Sequence, residues 1–236
     1  MSSPGTSSLA ADSRVRRGME AQLADRRLRL DSGERSVGWK VGFGSTEAMG
    51  RLRIEAPLVG FLTDRSLIRA PASVSLAGWS APLLEPEVAV HMGTDLPAGA
   101  DGPAVQRAIA ALGPAFELAD LDPPPREVEA ILAGNIFQRH VLVGPSDPKA
   151  PASGLRGRLT GPGGAERAVE DPVALTGDPV DVVHHVADLL GEFGETLRGG
   201  EFVICGSIVP PIPVAPTDAV SYALDPVGEI SIRFES

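Results

Sequence analysis

The chain has 236 residues, 43% hydrophobic and 22% charged, which suits a globular protein with a substantial core. Its formal net charge of −10 argues against a nucleic-acid partner and against an anionic membrane surface. Cys205 is the single cysteine, which excludes an internal disulfide framework and a zinc ribbon. No apolar run reaches the roughly 18 residues of a membrane span, and the N-terminus lacks a signal-peptide pattern, so a soluble, cytoplasmic protein is expected.

Residues 1–9 are small and polar, the composition of a disordered tail. From about Ala10 to Leu30, Val15, Met19 and Leu23 recur at helical spacing, with Asp12-Ser13 able to cap the start and Ser32-Gly33 the end. The arginines between Arg14 and Arg29 are interspersed with Glu20 and Asp25, the pattern of a solvated helix face or a subunit contact. Ser36 to Phe43 reads as a strand with Val37, Trp39, Val41 and Phe43 on one face. Lys40 stands on the other, between Gly38 and Gly42, where missing side chains would leave room for a ligand. The bland alternative is a lysine snorkelling to solvent. A short helix over 45–52 and a strand over 57–62 follow, ending at Thr63-Asp64-Arg65.

Leu83 to Met92 has the β-branched and apolar content of a strand, so its side chains alternate between two faces. Leu84, Val88, Val90 and Met92 point one way; Glu85, Glu87, Ala89 and His91 point the other. Two carboxylates one pleat repeat apart on an apolar strand are unusual, because an unpaired buried charge costs several kcal/mol. Oxygen-only ligands suit a hard cation such as magnesium or manganese. A half-exposed polar face, or an ordinary ion pair, would produce the same pattern. A third carboxylate, Glu117, lies in an apolar setting on the strand predicted over 114–121.

Asp101-Gly102-Pro103 opens a helix expected to reach Leu112, and Pro123 to Pro125 break the strand that follows. A short helix over 126–133 leads to Gly134-Asn135 and a strand over 137–143. Gly154 to Gly164 reads as a hairpin arm turning at Pro162. Val183, Val186, Leu190, Phe193 and Leu197 form one stripe of a packing helix over 179–198. His184 and His185 are neighbours pointing about 100° apart, which fits structural roles better than shared ligation. A strand over 202–207, a proline-rich loop and a final strand pair complete the chain. The sum is an α+β fold, β-rich with peripheral helices, and no glycine fingerprint for a nucleotide opens a helix. One domain over 10–236, with a helical N-terminal part over about 10–35, is expected.

Five motifs occur in order: Gly38-Trp39-Lys40-Val41-Gly42, Gly60-Phe61-Leu62-Thr63-Asp64, Glu85-Pro86-Glu87, Pro114-Ala115-Phe116-Glu117-Leu118-Ala119-Asp120, and Gly206-Ser207 before Pro213-Val214-Ala215-Pro216. Together they resemble the 2-keto-4-pentenoate hydratase and 4-oxalocrotonate decarboxylase branch of the fumarylacetoacetate hydrolase superfamily, from about Ala10 to Phe234. The resemblance implies a mixed β-roll or sandwich with surrounding helices. It implies Mg2+ or Mn2+ held by Glu85, Glu87 and Glu117, with the cation engaging the 2-oxo oxygen and carboxylate of a 2-ketoacid. Lys40 and Asp64 match the family's acid/base positions, and Ser207 and Asn135 match positions near the substrate.

The implied activity is a lyase of aromatic-compound catabolism: a hydratase that turns a 2-hydroxydienoate into its 2-keto form through a stabilised enolate and adds water at C4. A decarboxylase of a 4-oxalocrotonate-like acid is the alternative, and a silent ketoacid-binding partner subunit is a third reading. A C–C hydrolase fits less well, because Phe43-Gly44-Ser45-Thr46-Glu47 lacks the histidine of such relatives. The resemblance also implies a homo-oligomer, since members of this family often form oligomers, and a hydratase can associate with a decarboxylase as a pathway partner. The chain departs from the hydratase pattern after Asn135, where small serine-rich residues give way to Phe137, Gln138 and Arg139, and Gly134 stands where aspartate is common. Arg139 or Arg65 could pair with a second substrate carboxylate.

Overall fold

The computed structural model describes residues 9–122, 124, 126–150 and 154–236. The expected tail over 1–9, apart from Leu9, and Pro123 and Pro125 of the proline break lie outside the described residues.

Helix α1 (Ser13–Asp31) is capped by Asp12, whose carboxylate accepts from the Arg14 N–H. It buries Val15, Met19 and Leu23 as its spacing requires, and buries Gln22 and Arg26 as well. Gln22 is satisfied by donating to the carbonyls of Val59 and Leu132. Arg26 lies 4.7 Å from the centroid of the Trp39 ring, so its face of the helix is packed rather than solvated. There follow β1 (Ser36–Gly42), α2 (Thr46–Leu52), β2 (Leu58–Thr63), β3 (Leu67–Ile68), β4 (Ala72–Ser75), β5 (Pro82–Met92), α3 (Gly102–Ala108), β6 (Ile109–Asp120), α4 (Val128–Ala133) and β7 (Gln138–Val143). The second half adds β8 (Arg156–Thr160), β9 (Glu166–Val169), α5 (Pro179–Glu192), β10 (Phe202–Ser207), β11 (Ile212–Pro213), β12 (Ala219–Asp225) and β13 (Gly228–Glu235).

Two boundaries differ from the sequence expectation. The helix opening at Asp101 stops at Ala108, and Ile109 to Gly113 pair with β5 instead. Their alanines and leucine tolerate a helix, but the cross-strand partners win. The last helix ends at Glu192 rather than Arg198, because Phe193 leaves helical geometry and Gly194 takes a left-handed φ of 74°.

One sheet runs β2-β1-β10-β5-β6-β7-β3, with β11 added to β5; a second runs β4-β13-β12-β8-β9. Laid flat, the first sheet would hold its outermost strands about 29 Å apart. Yet Leu62 of β2, Ala89 of β5, Ala115 of β6, Val141 of β7 and Phe202 and Ile204 of β10 form one buried cluster, with Leu67 of β3 packed on it. The sheet is therefore curled, with these side chains inside. Its outer face carries the larger core, where Trp39, Phe61, Leu84, Val88 and Phe116 meet the helices and the second sheet. Phe116 and Tyr222 of β12 join the two sheets with ring centroids 6.0 Å apart. Helices α1 and α4 cross at Gly18, where an added Cβ would lie 2.7 Å from Leu132 Cβ. Among the described residues no helix is long and apolar enough to cross a membrane.

Candidate active site

Period-two alternation puts Glu85 and Glu87 on the same inner face as Ala89, as expected. Glu85 pairs directly with Glu117 across β5 and β6, and Glu87 pairs with Ser207 of β10. Lys40 pairs with Gly60 on one side and Ile204 on the other, so it also faces inward. Three strand spacings, about 14 Å in a flat sheet, separate β1 from β6, which is beyond a lysine's reach. Curling closes that gap. Lys40 is 2% exposed and Glu117 1%, and the ammonium donates to the Glu117 carboxylate and, at 3.1 Å, to the Ile136 carbonyl. Snorkelling is ruled out.

The glycines beside Lys40 do not leave room for a ligand. A Cβ at Gly38 would lie 1.9 Å from the Phe202 carbonyl oxygen, and one at Gly42 would lie 3.0 Å from Ile136 Cγ2. The protein's own backbone and Ile136 take that space.

Glu87 is fully buried; its Oε2 accepts from the Gly206 N–H at 2.6 Å, while its Oε1 has no partner. The buried Ser207 hydroxyl has none either. Burial, reinforced by Glu117, lifts the Glu85 carboxyl to about 7 despite the opposing charge of Lys40. Glu87 is pushed well above the usual carboxylate range by burial, then by Glu117 and Glu85. Glu117 is also raised, burial outweighing its contacts with Lys40 and with the neighbouring Glu87 carboxyl. Burial and the nearby Glu87 push the Cys205 thiol up, which favours its protonated form.

Among the described residues no three acidic, histidine or cysteine side chains already meet at ligand distance, since Glu117 turns to Lys40 and Glu87 to Gly206. The residues nevertheless fit a divalent cation. Were all three carboxyl groups ionised, they would exceed the one ammonium by two negative charges; burial makes that excess costly and a divalent cation would balance it, and Glu87 keeps an unpartnered oxygen.

The remaining expected residues make contacts of their own. Asp64 is bound by Arg35, which donates its backbone N–H to Oδ1 at 3.0 Å and its Nε to Oδ2 at 2.9 Å; these contacts hold the carboxyl below its usual range. Arg65 is exposed in the turn after β2. Arg139 donates to buried Asp120 at 3.2 Å and lies 5.8 Å from the centroid of Trp79. It lines a cleft of about 470 Å³ with Arg29, Arg126 and Phe137. Asn135 is buried and bonded to the Phe61 backbone. Two contacts had no sequence signal: the Gly206 N–H on Glu87 and the Ile136 carbonyl on Lys40. Both are backbone groups, whose direction residue types do not reveal.

No protein-family model matches this chain. The chain is 31% identical over 219 residues to 2-hydroxyhexa-2,4-dienoate hydratase of Comamonas testosteroni, covering 88% of this chain and 81% of that enzyme. It belongs to the hydratase and decarboxylase branch of the fumarylacetoacetate hydrolase superfamily. Among solved structures, 4-oxalocrotonate decarboxylase from Pseudomonas putida G7 with magnesium and adipate superposes with a TM-score of 0.86 at 25% identity, covering 97% of this chain and 90% of that one. The same enzyme with calcium and acetate gives 0.82 at 27% identity, over 92% and 84% of the two chains. That relative holds divalent metals, and a divalent cation is the group that the glutamates here fit.

Proposed function

We propose that this member of the branch is a lyase that uses magnesium or manganese to hydrate a 2-hydroxydienoate, by way of its 2-keto-enoate tautomer, to a 4-hydroxy-2-ketoacid. The observation that carries the reading is the inward-facing set of Glu85, Glu87, Glu117 and Lys40 inside the curled sheet. The three glutamates would hold the cation, which when bound supplies positive charge to the 2-oxo oxygen and carboxylate of the substrate. Lys40 is the proton carrier at the buried end. During tautomerisation the 2-hydroxyl proton leaves and C5 gains one; water then adds, its oxygen to C4 and a proton to C3. Lys40 Nζ, held by Glu117 and the Ile136 carbonyl, moves a proton at those carbons.

Asp64 serves as the second acid/base group through Oδ2 once the Arg35 guanidinium lets go, Oδ1 staying on the Arg35 N–H. The Arg35 side chain is 82% exposed, and an ion pair that exposed is readily exchanged. Ser207, with its unpartnered hydroxyl beside Glu87, is a substrate donor.

Decarboxylation of a 4-oxalocrotonate-like acid uses the same charge arrangement, and the likeness to the Pseudomonas decarboxylase favours that second reading. The experiment is ultraviolet absorbance of 2-hydroxypenta-2,4-dienoate and of 2-oxohex-3-enedioate with enzyme, with and without magnesium, while carbon dioxide is trapped. Metal-dependent loss of the dienol band without carbon dioxide supports the hydratase. Carbon dioxide from the dicarboxylate moves the assignment to decarboxylase. No change with either, in protein that binds metal, overturns both.

A further inference from the structure

Asn135, Ile136 and Phe137 are three consecutive left-handed residues, with φ of 51°, 53° and 60°, and none is glycine. Asparagine adopts this conformation more readily than most, but a β-branched residue and a phenylalanine resist it. The surroundings hold the turn in place. β2 is an edge strand, and the Asn135 side chain covers it as a strand would: Oδ1 accepts from the Phe61 N–H at 2.9 Å and Nδ2 donates to the Phe61 carbonyl at 2.9 Å. Glycine at position 60 makes this possible, since a Cβ there would lie 2.8 Å from Asn135 Oδ1 and 3.0 Å from Lys40 Cγ. Ile136 packs its side chain over Gly42, and its carbonyl accepts from Lys40 Nζ at 3.1 Å.

We propose that Asn135 is a positioning residue for Lys40 rather than a substrate contact. The inference rests on the reading of Lys40 as proton carrier. Its amide oxygen and one of its N–H groups are already spent on Phe61. By docking the left-handed turn on β2, the amide presents the Ile136 carbonyl to the ammonium. Glu117 alone would give Nζ a single acceptor on a side chain; the neutral Ile136 carbonyl gives it a second acceptor on the backbone without adding charge. Two conformations that residue preference disfavours, at Ile136 and Phe137, in a turn that converges on one lysine, are what such a device requires.

The test uses Asn135→Gly, which keeps the left-handed backbone accessible and removes the amide. Lys40 and Lys149 are the chain's two lysines, and Lys149 is exposed, so 15Nζ-lysine labelling yields two signals that Lys149→Arg assigns. In metal-free Asn135→Gly the Lys40 signal is expected to shift or broaden while that of Lys149 stays. Turnover should fall at least about tenfold, with KM within about threefold and Mn2+ affinity unchanged, because a misplaced proton carrier slows the chemical step rather than binding. Should Asn135→Gly fail to fold, Asn135→Asp keeps the acceptor for the Phe61 N–H, loses the donor, and is expected to shift the same signal. A folded variant with wild-type kcat and an unmoved Lys40 signal, alongside an inactive Lys40→Ala, would overturn the proposal. Wild-type turnover by Lys40→Ala would overturn the functional reading instead, and the Lys40 signal would still report whether the turn holds the ammonium.

Discussion

Replacing Glu85 by glutamine probes the charge balance on which the site depends. Burial and Glu117 raise the Glu85 carboxyl from 4.5 to about 7, so the folded protein keeps a proton that the unfolded chain releases. Between those values the folded state binds more protons, and stability therefore falls as pH rises through that window. A rise of that size corresponds to about 3 kcal/mol, and it is shared with Glu87 and Glu117, which titrate together with Glu85 and are raised in the same direction. Glutamine carries no charge at any pH. Metal-free Glu85→Gln should match the wild type near pH 4 and exceed it at pH 8 by up to about 3 kcal/mol, or about 6–12 °C in Tm for a chain of this size. Magnesium should reverse the order, stabilising the wild type more at pH 8 than at pH 6 and the variant little at either. Thermal denaturation followed by circular dichroism, with chelator or with magnesium, reads all of this. A metal-free wild type whose Tm does not change between pH 5 and 8, or a variant less stable than wild type at pH 8 without metal, would refute the reasoning.

Lys40→Ala should remove at least about a hundredfold of kcat in a folded protein, as loss of a proton carrier does, and a steady-state assay showing less than tenfold loss would move the role elsewhere. Gly18→Ala places a Cβ 2.7 Å from Leu132 Cβ and 3.0 Å from the Glu129 carbonyl where α1 crosses α4. It should cost about 1–3 kcal/mol in urea unfolding, and a neutral result would mean that the helices separate easily. Arg139→Ala breaks an ion pair whose arginine side chain is 53% exposed, and buried Asp120 keeps the N–H groups of Ser80 and Ala81, so stability should change by about 1 kcal/mol. If Arg139 meets a second substrate carboxylate, KM should rise at least about tenfold for the dicarboxylate and stay level for the monocarboxylate; equal KM shifts would remove it from recognition.

The strand carrying the glutamates was legible because both of its faces are constrained. Leu84, Val88 and Val90 feed the outer core while Ala89 joins the inner cluster, so a one-residue slip would bury the wrong set on both sides. Helix starts were legible for a local reason: Asp12, Asp101 and Asp178 each accept a backbone N–H of the first turn. The start of β6 was not, because Ile109 to Leu112 are strand only by pairing with His91 and its neighbours, far away in sequence. The two-residue strands β3 and β11 have too few residues to show any period.

At the site, residue chemistry was readable and backbone direction was not. A carboxylate pair on an apolar strand announces itself, since few folds tolerate it without a counter-charge. The glycines at 38, 42 and 60 also stood out, but a glycine shows only that something comes close. What comes close is Phe202 at one, Ile136 at the next, and Asn135 with Lys40 at the third. Sequence pointed away from a left-handed turn at Ile136 and Phe137, because both residues locally prefer other conformations. Where local preference and tertiary structure disagree this sharply, the contacts that impose the outcome are the place to look for function, and here they converge on Lys40.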